Sequence, residues 1–227
     1  MSVNFSARPM EHIAPQGLTN QRHSTRIDNG ATMIPDRLIS FVAAQAGAWA
    51  VTSQLTLCGD ALPQATCITM VSRADTAPAP SEWALHGVTS NERYITAEER
   101  QHLRAVQQGL GRPGAWCAAM IPIRKNQDWW ALAQDERREI FEAQSHHIHI
   151  GAKYLPPIAR RLHHCRDLGL GEPFDFIAWF EFAPEHTPFF NDMLSELRAT
   201  PEWKFIDREV DIRMTLSAMT TGSALAS

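Results

Sequence analysis

The sequence predicts an α+β fold, and three observations predict it. Runs with the two-residue alternation of strands are interleaved with runs at helical spacing. From the strand around Met120 onward the order is strand, helix, strand, strand, helix, strand, which is the ferredoxin-like order. The stretch before it reads as a shorter, incomplete version of the same unit. The expected architecture is therefore a truncated ferredoxin-like unit over residues 36–115 and a complete one over 116–216. Two such units place a mixed sheet with helices on one side and leave a slot between sheet and helices. Residues 1–35, polar and punctuated by Pro9, Pro15 and Asn29-Gly30, are expected to form a poorly ordered tail, and residues 217–227 a flexible one.

The elements follow in order. Leu38–Ala44 and Ala48–Leu57 are strand-like, and the small-residue turn at Gly47 predicts a hairpin between them. Asp75–Ser81, with its alanines and prolines, is a linker. Trp83–Ile95 alternates as a strand; Thr96 then caps a helix, with Glu99 as its capping-box partner, that stops before Gly109 and Gly111. Trp116–Arg124 is an apolar strand, placed near an edge because Pro122 has no amide to donate. Helical spacing runs from Asp135 through Phe141, resumes from Ser145 to Leu155 and ends at Pro156-Pro157. Ile158–Cys165 is a short strand candidate, Phe174–Phe182 a strong strand, Ala183–Ala199 an amphipathic helix, and Lys204–Met214 a cleanly alternating last strand.

Composition narrows the function. The chain has 227 residues, 44% hydrophobic and 20% charged, with a net charge of −4, which gives no electrostatic footprint for nucleic acid or an anionic membrane. No run reaches the roughly 20 apolar residues of a membrane helix, and the N-terminus lacks the apolar core of a signal peptide. Cys58, Cys67, Cys117 and Cys165 form no C-x-x-C pair, so they read as reduced thiols of a cytoplasmic protein.

The densest chemical signal is Ser145-His146-His147-Ile148-His149. His146 and His149, at i and i+3, share a helix face and could bind a divalent metal; one neutral imidazole aimed into an apolar slot could instead be an axial ligand of haem iron; or the run is a solvated face with one buried histidine. Spacing alone leaves these open. Elsewhere, Trp179, Phe180, Phe182 and the Phe189–Leu197 stripe read as core, Cys165 as packing, and Asp135–Glu139 as a solvated helix start. His163 and His164 point to opposite faces of a strand.

The wider pattern is more specific. The run WWALAQDERREIFEAQSHHIHIGAKYLPPIARRLHHCRD (Trp129–Asp167), with EPFDFIAWFEFAPEH (Glu172–His186), LRATPEW (Leu197–Trp203), REVDIR (Arg208–Arg213), GVTSNERY (Gly87–Tyr94) and IPIRK (Ile121–Lys125), closely resembles the chlorite dismutase family. The resemblance covers about Leu38 to Met214 and points to the shorter, dimeric branch, a dimeric α+β barrel with a truncated N-terminal unit. It implies haem b as cofactor, a homodimer, and decomposition of chlorite to chloride and dioxygen. In that scheme O–Cl cleavage is followed by recombination of a ferryl oxidant with hypochlorite. It further implies His147 as the iron ligand, matched by its thirteen-residue separation from the distal arginine, Arg160, with Tyr154 supporting the register. Glu202 is implied as acceptor for the proximal imidazole. Asn91, Arg93, Tyr94, Lys125 and Trp129 match the region of the haem propionates and the proximal edge of the pocket. Gln107 and Gln108 are candidates to approach the distal side. The competing readings are a coproheme decarboxylase or peroxidase on the same fold, against which Arg160 and the missing G-x-x-D-G motif argue, and a haem-binding protein without chlorite activity.

Overall fold

The computed structural model describes residues 37–72, 80–90 and 94–217. The tail over 1–35, most of the expected linker, Asn91, Arg93 and nearly all of the C-terminal tail lie outside the described residues.

Eight strands form a closed antiparallel barrel: β1 (Leu38–Ala44), β2 (Trp49–Cys58), β3 (Cys67–Ser72), β4 (Ser81–Thr89), β5 (Cys117–Lys125), β6 (Ala159–His164), β7 (Phe176–Phe182) and β8 (Ile206–Leu216). Closure removes the mixed sheet that the sequence suggested, since every neighbouring pair is antiparallel. Around the barrel the order is β4-β1-β3-β2-β8-β5-β7-β6. Numbered from its own first strand, each half reads fourth, first, third, second.

The expected β1–β2 hairpin does not form. The first residues of β3 lie between them: Cys67 pairs with both Ala44 and Ala50, and Ile68 with both Ala43 and Trp49. The Gly47 turn passes over β3 so closely that a Cβ there would meet Thr69 Oγ1 at 2.6 Å and Cys67 Cβ at 3.1 Å. β5 is also no edge strand, being paired with β7 and β8 on either side. Pro122 is accommodated because the β5–β8 ladder skips Ile121 and Pro122, then resumes at Ile123 in the same register.

Alternation along these strands builds two cores. Inward residues Phe41, Ile68, Met120, Ile177, Trp179, Val210 and Ile212 fill the barrel, each at 0% exposure. Fully burying one such side chain contributes about 1.5–3 kcal/mol. Outward residues Ala119, Ile121, Phe180 and Phe182 form a second core with α5 (Thr187–Arg198), whose buried face is Phe190, Met193, Leu194 and Leu197.

The remaining helices are α1 (Ala97–Val106), α2 (Gln127–Ala131), α3 (Gln134–Arg138) and α4 (His147–Lys153). The Thr96–Glu99 capping box opens α1 as expected. The helical signal between Asp135 and Leu155 resolves into α3, a π-helical turn over Glu139–Gln144, and α4. Arg137 is buried rather than solvated, donating from Nε to the Trp129 carbonyl at 2.9 Å and from Nη2 to that of Trp130 at 2.6 Å. No described helix is long and apolar enough to cross a membrane.

His163 sits inside the barrel at 0% exposure, edge-on to Phe41 at 4.9 Å, and its Nε2 has no hydrogen-bond partner. Burial pushes its pKa from 6.5 to about 4. Because the folded value lies below the unfolded one, the unfolded chain binds more protons between these limits. Stability is complete above pH 6.5 and falls as pH drops toward 4, by roughly 2–3 kcal/mol once most of that range is crossed. Urea midpoints of the wild type and His163→Leu at pH 7 and 4.5 check this: the wild type should lose more stability, and parallel losses would show that His163 is not the group responsible.

Candidate functional site

The outer face of β5, β6 and β7 does not pack completely against its helices. A cavity of about 1110 Å³, part of it open to solvent, lies between them. Its sheet wall carries Ile121, Ile123, Arg160, Leu162, Ala178 and Phe180. The opposite wall carries His147 and Ile148 of α4, Met193, Leu194 and Leu197 of α5, and Trp203. Phe180, read from sequence as core alone, lines the cavity as well as packing on Phe190.

Local backbone geometry separates the three histidines. His146 precedes α4 in the left-handed region (φ 52°) and is exposed, and His149 is exposed on the far side. His147, the first residue of α4, is half-buried and faces the cavity, stacked on Phe141 at 4.3 Å. The π-helical turn delivers Phe141 to that position. Such turns recur at functional sites because they re-aim side chains within a helical run. Among the described residues no group of three His, Cys, Asp or Glu side chains could hold a metal ion, so none of them supplies a third ligand beside His146 and His149.

Behind His147 is a buried carboxylate. Glu202, 3% exposed, lies in the 3₁₀ turn Pro201–Phe205 before β8. Its Oε2 is 2.7 Å from His147 Nδ1 and its Oε1 accepts from Lys125 Nζ at 2.7 Å. Its backbone amide donates to the Oγ of buried Ser145 at 2.9 Å. Burial raises the pKa of this carboxyl, but the charges of His147 and Lys125 outweigh it and hold the group at about 2. Glu202 is therefore an anion that can only accept, so His147 Nδ1 donates in their contact and Nε2 is left uncommitted to the carboxylate. The Lys125 ammonium also sits 4.2 Å above the centre of the Trp129 ring.

Arg160, on β6 opposite Phe180 of β7, lines the sheet side. Burial lowers its pKa, and no carboxylate offsets that. Its guanidinium makes no ion pair among the described residues. Its backbone carbonyl accepts from Gln107 Nε2 at 2.6 Å, so Gln107 does reach this wall, whereas Gln108 is exposed and does not line the cavity. Arg112 donates to the carbonyls of Pro156 and Pro157, at 2.9 and 2.7 Å, and steadies the turn that leads into β6. A neighbouring depression beyond Arg160 is lined by Arg100, Arg104 and Arg161, with no carboxylate among its lining residues.

Tyr94 and Trp129 complete the cavity edge. Tyr94 Oη and Trp129 Nε1 are buried and have no hydrogen-bond partner among the described residues, so each is a donor in need of an acceptor. Sequence reasoning brought His147, Glu202, Lys125, Arg160, Tyr94 and Trp129 to one cavity. It missed Ser145, Phe141 and Arg112, which act through packing and backbone contacts between segments far apart in the chain.

The sequence model of the family described as Chlorite dismutase matches residues 66–217, more than half of the chain. The crystal structure of a dimeric chlorite dismutase from Nitrobacter winogradskyi superposes with a TM-score of 0.72 at 47% identity, covering 78% of this chain and 99% of that one. A chlorite dismutase of Ideonella dechloratans is 30% identical over 124 residues, 54% of this chain and 41% of that protein, so the chain spans less than half of that relative's length. The conclusion from the profile, the fold and the site together is that the chain belongs to the chlorite dismutase family.

Proposed function

We propose that the cavity holds haem b on His147 and that the protein decomposes chlorite to chloride and dioxygen, with Arg160 holding the anion. One observation carries this reading. A histidine whose Nδ1 is committed to a buried carboxylate and an arginine with no acidic partner among the described residues face one apolar cavity from its helix and sheet walls.

The residues present fit the cofactor. The cavity's apolar walls suit a porphyrin, and the polar groups that face it are few and convergent. The unpartnered Tyr94 hydroxyl and Trp129 indole supply donors for its propionates at the rim. A ferric haem bound here would supply the redox chemistry that breaks the O–Cl bond and forms dioxygen.

The chain's own residues do the rest. Glu202 draws on the Nδ1–H of His147, which raises the basicity of Nε2 and fixes the ring. Lys125 keeps Glu202 ionised by pairing with its second oxygen. Arg160 presents a planar set of donors that stays charged at working pH, so it holds a small oxyanion without giving up a proton. Ile121, Ala178, Phe180 and Leu194 exclude water, which strengthens that hold and keeps a reactive anion from escaping.

By the same reading the two halves, divided near residue 115, are ferredoxin-like units; the strand order that repeats around the barrel supports this. The dimeric state of the Nitrobacter relative supports a homodimer here. The four free cysteines are compatible with the reducing cytoplasm that we assign to it.

A haemin titration followed at the Soret band tests the ligand: His147→Ala should lose haem retention while His149→Ala keeps it, and the reverse would move the ligand. Glu202→Ala should bind haem about 10–100-fold more weakly, as loss of the acceptor behind a metal-binding histidine does. An oxygen electrode with chlorite tests the anion role. Arg160→Ala should keep its haem but lose about a hundredfold in turnover and release hypochlorite to a chlorination-sensitive dye. Wild-type oxygen yield in that variant would remove Arg160 from the reaction.

A further inference from the structure

α4 begins without an ordinary cap. His146, which occupies the cap position, is in the left-handed region (φ 52°), and its side chain accepts no hydrogen bond from the helix. The first amides of a helix have no partner within it and need acceptors from elsewhere. Glu142, in the π-helical turn before α4, supplies one. Its Oε2 accepts from the Ile148 amide at 2.7 Å, and its carbonyl oxygen accepts from the His146 amide at 2.9 Å. One residue thus takes the backbone amides immediately before and after His147. Phe141, its neighbour in the turn, supplies the ring stacked on the imidazole at 4.3 Å and 23°.

A histidine side chain turns about two bonds, so fixing one ring nitrogen does not by itself fix the direction of the other. Glu202 Oε2 is 2.7 Å from His147 Nδ1, but a rocking backbone would let the ring keep that contact and still swing Nε2 about it. We propose that Glu142 is a positioning residue for His147: by bracketing its backbone it holds the base of the side chain while Glu202 holds the ring, and Nε2 then has one direction in the cavity. Left-handed backbone is costly for a residue with a Cβ and persists where its surroundings hold it. The two Glu142 contacts, on either side of His147, do so at His146. That Nε2 is an iron ligand rests on the haem reading above; the bracket around His147 does not, so the two are tested separately.

Glu142→Ala, Glu142→Gln and Glu142→Asp in the full chain distinguish positioning from capping. Glutamine keeps an oxygen that can accept from Ile148, whereas aspartate keeps the charge on a side chain one methylene shorter. In the haem-free chain, the His147 Nδ1 proton held by Glu202 should give a slowly exchanging imidazole signal by NMR. That signal should be lost in the alanine and aspartate variants and retained with glutamine. On haem-loaded protein, transfer of haem to apomyoglobin should be about tenfold faster with alanine or aspartate and within about twofold of wild type with glutamine, the scale set by losing a support behind a metal-binding histidine. The ferrous iron–imidazole stretch in resonance Raman spectra should broaden in the same two variants. A contact that only caps α4 would lower the urea midpoint and leave the NMR signal, haem transfer and stretch as in wild type, and that result would overturn the proposal. Glutamine behaving as poorly as alanine would also overturn it, by assigning the effect to charge. If the alanine variant fails to fold, the comparison of aspartate with glutamine decides alone. A wild-type chain that takes up no haem would instead overturn the functional reading, while the NMR signal would still decide whether Glu142 holds His147.

Discussion

The structure turns on one buried charge. A carboxylate as enclosed as Glu202 costs several kcal/mol unless it is matched, and leaving it with one partner missing costs about 3–5 kcal/mol. Its partners come from three places: Lys125 at the end of β5, His147 at the start of α4, and Ser145 just before it. Satisfying Glu202 therefore fixes the 3₁₀ turn against the barrel and the α4 entry against that turn. The same contacts that make burial tolerable also set the tautomer of His147. Stability and site geometry share one set of hydrogen bonds here, so neither can be altered alone.

A second network holds the frame in which that charge sits. Arg198, at the end of α5, spans Glu209 and Asp211 of β8 at 2.6 and 2.9 Å, and Trp203 Nε1 donates to Glu209 at 2.8 Å. Burial raises the pKa of Asp211, but Arg213 and Arg198 outweigh it and keep it ionised. These contacts clamp both ends of the segment that carries Glu202. On the sheet side, Gln107 and Arg112 hold the backbone around Arg160, whose guanidinium makes no ion pair among the described residues.

Much of this was legible in the sequence. Alternation located seven of the eight strands, and the capping box at Thr96 and the stop at Pro156-Pro157 marked helix ends that the structure shows. β3 was missed although Cys67–Ser72 alternates with β-branched residues, because it is short and its neighbours looked able to pair with each other. Pro122 pointed to an edge, and only a closed barrel, which has none, shows how a ladder can skip two residues and continue. The site residues came from long motifs in order, which carry register. Ser145 and Phe141 lie inside the same motifs, but nothing there marks their contacts, which join residues 6 to 57 apart in the chain. Three adjacent histidines could not be told apart by spacing; the left-handed turn at His146 distinguishes them.

The two halves contribute the same strand order but unequal covering. β1 and β2 are joined by only four residues, and β3 and β4 by eight, where the second half inserts α2 to α4 and α5 at the matching joints. A slot of this kind needs a sheet face and a helix layer over it. Among the described residues the first half supplies its share of barrel wall and no helix at those joints, so the length of two connections decides that the cavity lined by His147 and Arg160 lies against strands of the second half.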